Sequence, residues 1–157
     1  MRKPKLDRTD LKILEKLQDD GRITNLKLAK HAGISAPPCL RRVRALEESG
    51  VIKGYHADLH SSSLGYEITV FVLVKLKSQN DSHLRQFEEF VQAEPMVREC
   101  HMLTGDMDFL LRVTSKNWEN YQKYLSDALA AQEFVDAVKT MPLVRTAKQK
   151  PGVPVQI

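Results

Sequence analysis

Arg41, Arg42 and Arg44 crowd the middle of the stretch GISAPPCLRRVRALEESG (33–50). Each guanidinium is a rigid fork of N–H donors that fits a phosphate or the O6/N7 edge of guanine. Pro37 and Pro38 precede them, and prolines are tolerated in the first turn of a helix, where backbone N–H groups have no intrahelical partner. At about 100° per residue, Leu40, Val43 and Leu46 share one side of this helix and are expected to be buried. Pro37, Arg41, Arg44 and Ala45 fall opposite, with Arg42 on the flank. Arginines behind a small apolar front end suit the DNA major groove, where apolar atoms can touch a thymine methyl. The competing reading pairs Arg41 and Arg44 with Glu47 and Glu48 at helical spacing.

Two other clusters carry chemistry. TGDMD (104–108) places Asp106 and Asp108 around Gly105, and by itself this composition implies only a tight turn. Cys100 and His101 invite a nucleophilic or metal reading. Neighbours on a strand point to opposite faces, however, and no second Cys/His pair has zinc spacing. A structural cysteine is expected, and no metal site. No P-loop, dinucleotide fingerprint or HExxH occurs, so no catalytic residue is assigned and an enzyme is not expected. The enzyme alternative would be marked by a reactive Cys100 thiol with a depressed pKa.

Three helices must position the arginines. The pattern apolar residue, capping residue, three others, apolar residue occurs at Leu6-Asp7…Leu11, Ile23-Thr24…Leu28 and Ile34-Ser35…Cys39. Each predicts an N-cap oxygen with a hydrophobic staple closing over it. The first helix is expected to bury Leu11, Leu14 and Leu17 and to end at DDGR (19–22). The second is short, about Asn25 to His31, and stops at Gly33. Ala29 and Gly33 are small where two helices must meet and turn. Two helices joined by a short glycine-containing turn are the helix-turn-helix signature. VIKGYHADLH (51–60), β-rich with Gly54 as a turn, predicts a small wing.

The remaining chain alternates strand and helix. EITVFVLVKLK (67–77) has Ile68, Val70, Val72, Val74 and Leu76 on one face and Phe71 and Leu73 on the other, so it wants cover on both sides. A helix over about 82–93 should bury Leu84, Phe87 and Val91. Strands are expected at 96–103 and 109–114, then a helix at about 117–130 carrying Trp118, Tyr121 and Leu125, then a strand at about 135–144. The order β-α-β-β-α-β is that of the ferredoxin-like sandwich. The tail KQKPGVPVQI is expected to pack poorly unless it crosses onto a partner.

Composition agrees with two modules. Hydrophobic residues at 42% and charged residues at 28% fit a folded globular chain. No apolar run is long enough to cross a bilayer, and the basic start MRKPK has no hydrophobic leader behind it. Cys39 and Cys100 are the two cysteines, so no disulfide framework is expected and a cytoplasmic location is. Residues 1–60 hold 13 Lys/Arg against 8 Asp/Glu, while residues 61–157 hold 11 against 12. The excess positive charge therefore belongs to the helical third, pointing to a module that faces nucleic acid.

The segments LDRTDLKILEKLQDDGRI, ISAPPCLRRVRALEESGVIKGY and ECHMLTGDMDFLLRV, in this order and at these separations, resemble the Lrp/AsnC (feast/famine) family of transcription regulators over nearly the whole chain. The resemblance implies an α+β protein with an N-terminal winged helix-turn-helix at 6–67 and a C-terminal βαββαβ, ferredoxin-like (RAM/ACT-like) domain at 68–146. A tail at 147–157 follows. It implies double-stranded DNA as partner, an amino acid as effector, no cofactor, and homodimers that assemble further, commonly to octamers, in the cytoplasm on the nucleoid. It maps DNA contact onto Thr24, Asn25 and Lys27 of the second helix. On the recognition helix it maps contact onto Ser35, Ala36, Pro37, Arg41, Arg42 and Arg44. Pro37 stands where leucine-responsive members usually carry a hydroxyl residue, which removes one possible hydrogen bond to DNA. The resemblance also makes 104–108 an effector loop between dimers. Asp106 or Asp108 would meet an α-ammonium group, Gly105 would allow close approach, and Met102, Thr104 and Met141 would line the pocket. The alternative reading of function is an architectural nucleoid-type DNA binder with little sequence preference.

Overall fold

The computed structural model describes residues 5–156, so most of the basic start MRKPK and the last residue of the tail lie outside it. The chain divides into two compact units, one formed by residues up to Asp58 with those from Lys148 on, the other by Leu59–Ala147. Among the described residues no helix is long and apolar enough to cross a membrane.

The first unit is three helices, α1 (Arg8–Asp19), α2 (Asn25–Ala32) and α3 (Ala36–Glu48). Asp7 and Asp10 form a reciprocal capping box at the start of α1, each carboxylate accepting the other's backbone N–H at 2.9 and 3.0 Å. Thr24 caps α2 by accepting the Lys27 N–H. Gly33, at φ 75°, ends α2 in the left-handed conformation that glycine adopts without a Cβ penalty. Ile13 is completely buried at the centre, with Leu28, Ala29, Ala32, Cys39 and Leu46 around it, and Leu6, Ile23 and Ile34 pack on as the staples predict. Ala29 and Ala32 are small, which lets α2 lie close to its neighbours.

The buried stripes differ in detail from the periodic expectation. On α1, Ile13 rather than Leu11 is the core residue, with Leu14 and Leu17 beside it. On α3, the buried stripe is Cys39, Val43 and Leu46, while Leu40 is 40% exposed. Cys39, completely buried, takes the core position one residue before Leu40, which faces outward. The predicted wing carries no strand, for Lys53–His60 runs without ladder pairing. Val51 and Ile52, needed as one arm of a hairpin, are spent in the helical core. Tyr55 instead donates its hydroxyl to Glu47 at 2.9 Å. Nor is the tail loose: Gln18 of α1 makes two hydrogen bonds to the backbone of Val153, at 2.7 and 3.0 Å.

The second unit contains β1 (Ile68–Leu76), α4 (Asp81–Ala93), β2 (Val97–Met102), β3 (Phe109–Ser115), α5 (Trp118–Tyr124) and β4 (Val135–Pro142). A π-helical stretch, Leu125–Leu129, continues α5. The antiparallel sheet has the order β2-β3-β1-β4, so the sandwich is the βαββαβ arrangement expected. Val70, Val72, Val74 and Leu76 are buried with Phe109, Leu111 and Val113 against Phe87 and Val91 of α4 and Tyr121 of α5. Phe87 and Phe109 stack with centroids 4.4 Å apart. The opposite face is uncovered by the helices: Phe71 lies between Arg112 and Met141, and Leu73 between Leu110 and Lys139.

Candidate DNA-binding face and sensing loop

On α3, Pro37, Arg41, Arg44 and Ala45 are all exposed. Among the described residues no carboxylate lies within ion-pair distance of Arg41 or Arg44. Glu47 is engaged by Tyr55, so surface pairing does not neutralise this face. Arg42 behaves differently. Its guanidinium donates to Asp7 and Asp10 of α1, both at 2.7 Å, which ties the start of α1 to the middle of α3. The Asp10 and Asp7 acceptors raise its pKa further above its ordinary value, and its expected place among the DNA contacts is corrected to a clasp within the domain.

Ser35 occupies the N-cap of α3 but makes no side-chain capping bond. An N-cap oxygen ordinarily accepts from the second or third helical N–H, and here those residues are Pro37 and Pro38, which have none. The Ser35 hydroxyl is therefore left to other partners. For the same reason, Ala36 carries the one open amide in the first three positions of the helix. The backbone N–H groups with which a helix N-terminus can hold a phosphate are thus few at α3. At α2 the Asn25 and Leu26 amides are open, while Lys27 gives its amide to Thr24 and keeps its side chain exposed. Asn25 turns inward, its Nδ2 donating to the Ala36 carbonyl at 2.8 Å across the turn between α2 and α3. Its side chain is corrected from DNA contact to turn support.

The loop between β2 and β3 also separates into two roles. Asp108 is 3% exposed. One carboxylate oxygen accepts the Leu76 N–H at 2.7 Å and the other accepts Gln79 Nε2 at 2.6 Å. Its own N–H donates to the Val74 carbonyl, and its carbonyl accepts the Leu103 N–H. Every polar group of Asp108 is consumed inside the sandwich, so the expectation that it binds an effector ammonium is corrected. Thr104, Gly105 and Asp106 are exposed at the tip, and among the described residues Asp106 has no ion-pair partner. Met102, 60% exposed, ends β2, whereas Met141 sits on β4. Those strands are the two edges of the sheet, three strand spacings or about 14 Å apart. One chain does not bring Met141 to the loop.

Cys100 and His101 point to opposite faces, as alternation requires: Cys100 is registered with buried Leu111, and His101 with Leu110 on the uncovered face. Burial, with Glu88 adding to it, pushes the Cys100 thiol up to about 11. That is the reverse of an activated nucleophile. Among the described residues no group of His, Cys, Asp and Glu could hold a metal ion. On the uncovered face Arg112 bridges to Glu99 at 2.7 Å, and His101 lies 3.5 Å from the same carboxylate. Sequence reading missed this cluster, although strand alternation across Glu99, His101 and Arg112 carries the signal.

A helix-turn-helix whose second helix shows unneutralised arginines to solvent defines a DNA-binding regulator. A winged helix-turn-helix DNA-binding model matches residues 6–53, and a model described as the Lrp/AsnC ligand binding domain matches residues 69–153. This chain belongs to the Lrp/AsnC family of transcriptional regulators. It is 51% identical to the leucine-responsive regulatory protein of Rhizobium meliloti over 91% of this chain and 92% of that one. It is 44% identical to the Bkd operon transcriptional regulator of Pseudomonas aeruginosa, covering 86% and 88%. Its fold superposes on a Neisseria meningitidis transcriptional regulator in complex with L-methionine with a TM-score of 0.91, at 30% identity, covering 96% and 97%.

Proposed function

We propose that this regulator reads DNA through α3, responds to an amino acid at the 104–106 loop, and acts as a dimer or larger assembly in the cytoplasm. The observation that carries the DNA reading is the exposed pair Arg41 and Arg44 on one helical face, without ion-pair partners among the described residues. Thr24, Lys27, Ser35, Ala36 and Pro37 surround it as phosphate and groove contacts, Ser35 by its free hydroxyl. Asp106 supplies the anion for an α-ammonium group, with Gly105 and Thr104 beside it. The loop is open on one chain, so its pocket walls, including the role kept for Met102 and Met141, come from association of chains. The L-methionine bound to the Neisseria relative supports an amino acid as the ligand class. The uncovered sheet face around Phe71 and Leu73 supports a homodimer, with octamers by further association.

Titration calorimetry against the amino acids, beside DNA binding by the same preparation, tests this reading. One or a few amino acids should bind and change DNA affinity. Asp106→Asn should lose roughly tenfold to a hundredfold in effector affinity, the scale of a charged hydrogen bond, with an unchanged melting curve. Wild-type effector affinity in that variant would remove Asp106 from the site. Nearly equal affinity for selected and random duplex would give the architectural alternative instead.

A further inference from the structure

The exposed face of α3 has an apolar half and a basic half. Pro37 and Leu40 make the first, Arg41 and Arg44 the second. Residues three and four apart are neighbours on a helix, so Pro37 adjoins Arg41 and Leu40 adjoins Arg44. A single leucine at 40% exposure is ordinary on a protein surface. One set beside cations that have no carboxylate partner among the described residues constrains what can cover it. The occupant must carry negative charge and present apolar points within a few ångströms of that charge. The major groove of a DNA duplex does so, with phosphates and guanine edges for arginine and the 5-methyl group of thymine for leucine.

The front half of the helix narrows the chemistry available for reading a base. Ala36, Pro37, Pro38 and Leu40 carry no polar side-chain atom, Cys39 is buried, and Pro37 and Pro38 have no N–H. Beyond the Ser35 hydroxyl at the cap, this half of α3 has no hydrogen-bonding side chain with which to tell one base from another. Apolar contact is the means of direct readout that remains to it. We propose that Leu40, supported by Pro37, is a specificity-determining residue that reads thymine methyl groups next to the contacts made by Arg41 and Arg44. The proposal rests on the reading of α3 as the DNA-binding helix.

The test starts from duplexes selected out of a random pool by the full chain. Each thymine of a selected site is then replaced by deoxyuridine, which removes the methyl and nothing else. Wild-type protein should lose about three- to fivefold in affinity at one thymine per half-site, the value of one buried methyl-sized group. Leu40→Ala should bind the selected site more weakly and be indifferent to the swap there. Arg44→Ala should bind more weakly yet keep the full penalty for the swap. The wild-type arm needs no variant to fold. Binding with no selected sequence, no methyl penalty in wild type, or an undiminished penalty in Leu40→Ala would overturn the proposal while leaving α3 as a DNA-binding helix. Failure of the wild-type protein to bind any duplex would overturn both.

Discussion

Asp108 uses both carboxylate oxygens on N–H donors that β1 and the following turn would otherwise leave inside the sandwich. Asp108→Ala would strand the buried Leu76 N–H, and an unsatisfied buried donor costs about 1–3 kcal/mol. Asp108→Asn should cost less, because Gln79 can turn its amide to accept from the new side chain while the asparagine oxygen keeps the Leu76 bond. Urea unfolding of the two variants should therefore rank alanine below asparagine below wild type, with effector affinity preserved in whatever fraction is folded. Normal stability with lost effector affinity would return Asp108 to the sensing site. The same distinction separates the arginines: Arg41 and Arg44 face outward, and Arg42 has two partners at home.

At the scale of elements, the clasp from Arg42 to Asp7 and Asp10 joins the start of α1 to α3, and the capping box starts α1 at the same two carboxylates. The Asp10 backbone N–H, and after it the Arg42 guanidinium, hold the Asp7 carboxyl below its ordinary value of 3.8. A carboxyl whose pKa is lowered by folding stabilises the fold above its unfolded pKa, and that contribution is lost as pH falls through the folded value. The helical unit should accordingly lose stability in acid below about pH 4. Asp7→Asn keeps a good N-cap but has no proton to take up, so its stability should change less between about pH 5 and pH 3 than that of wild type. Equal acid sensitivity in the two proteins, measured by urea unfolding at several pH values, would show that the Asp7 charge does not contribute.

For the whole molecule the open question is what covers the second face of the sheet. Phe71, Leu73, Leu110 and Met141 lie on it as cross-strand neighbours, bordered by Lys139 on one side and the Arg112–Glu99–His101 cluster on the other. Covered by a second copy, Leu73 would lie in a dry interface. Leu73→Glu should then split the assembly, since a charge buried in an interface without a matched partner is costly. The separated chain should still fold, because Lys139 is directly opposite residue 73 and can pair with the new carboxylate. Sedimentation should find wild type as a dimer or larger and the variant as a folded monomer. A monomeric wild type at micromolar concentration would refute the arrangement.

Local pattern was enough for the helices, for the strands of the sheet and for the family, though not for the wing. Asp7 and Thr24 announced their helices, Gly33 the turn, the alternation at 68–76 a two-sided strand, and three quoted segments the Lrp/AsnC likeness. These signals are short-range: they depend on residues two to four apart, whose geometry the backbone dictates. Tertiary structure decided the rest, because a side chain's role depends on neighbours that periodicity does not name. Leu40 and Cys39 differ by one position and about 100° on the helix, and it is Cys39 that the packing of the three helices buries. Arg42 and Arg44 are alike in sequence until Asp7 and Asp10 arrive from another helix. Asp106 and Asp108 share one turn, but the end of β1 lies beside only the second. Met102 and Met141 looked like one pocket until strand order put them on opposite edges. In each case, contacts more than 30 residues apart or the packing of one element on another determined which of several chemically equivalent side chains stayed free to meet a ligand.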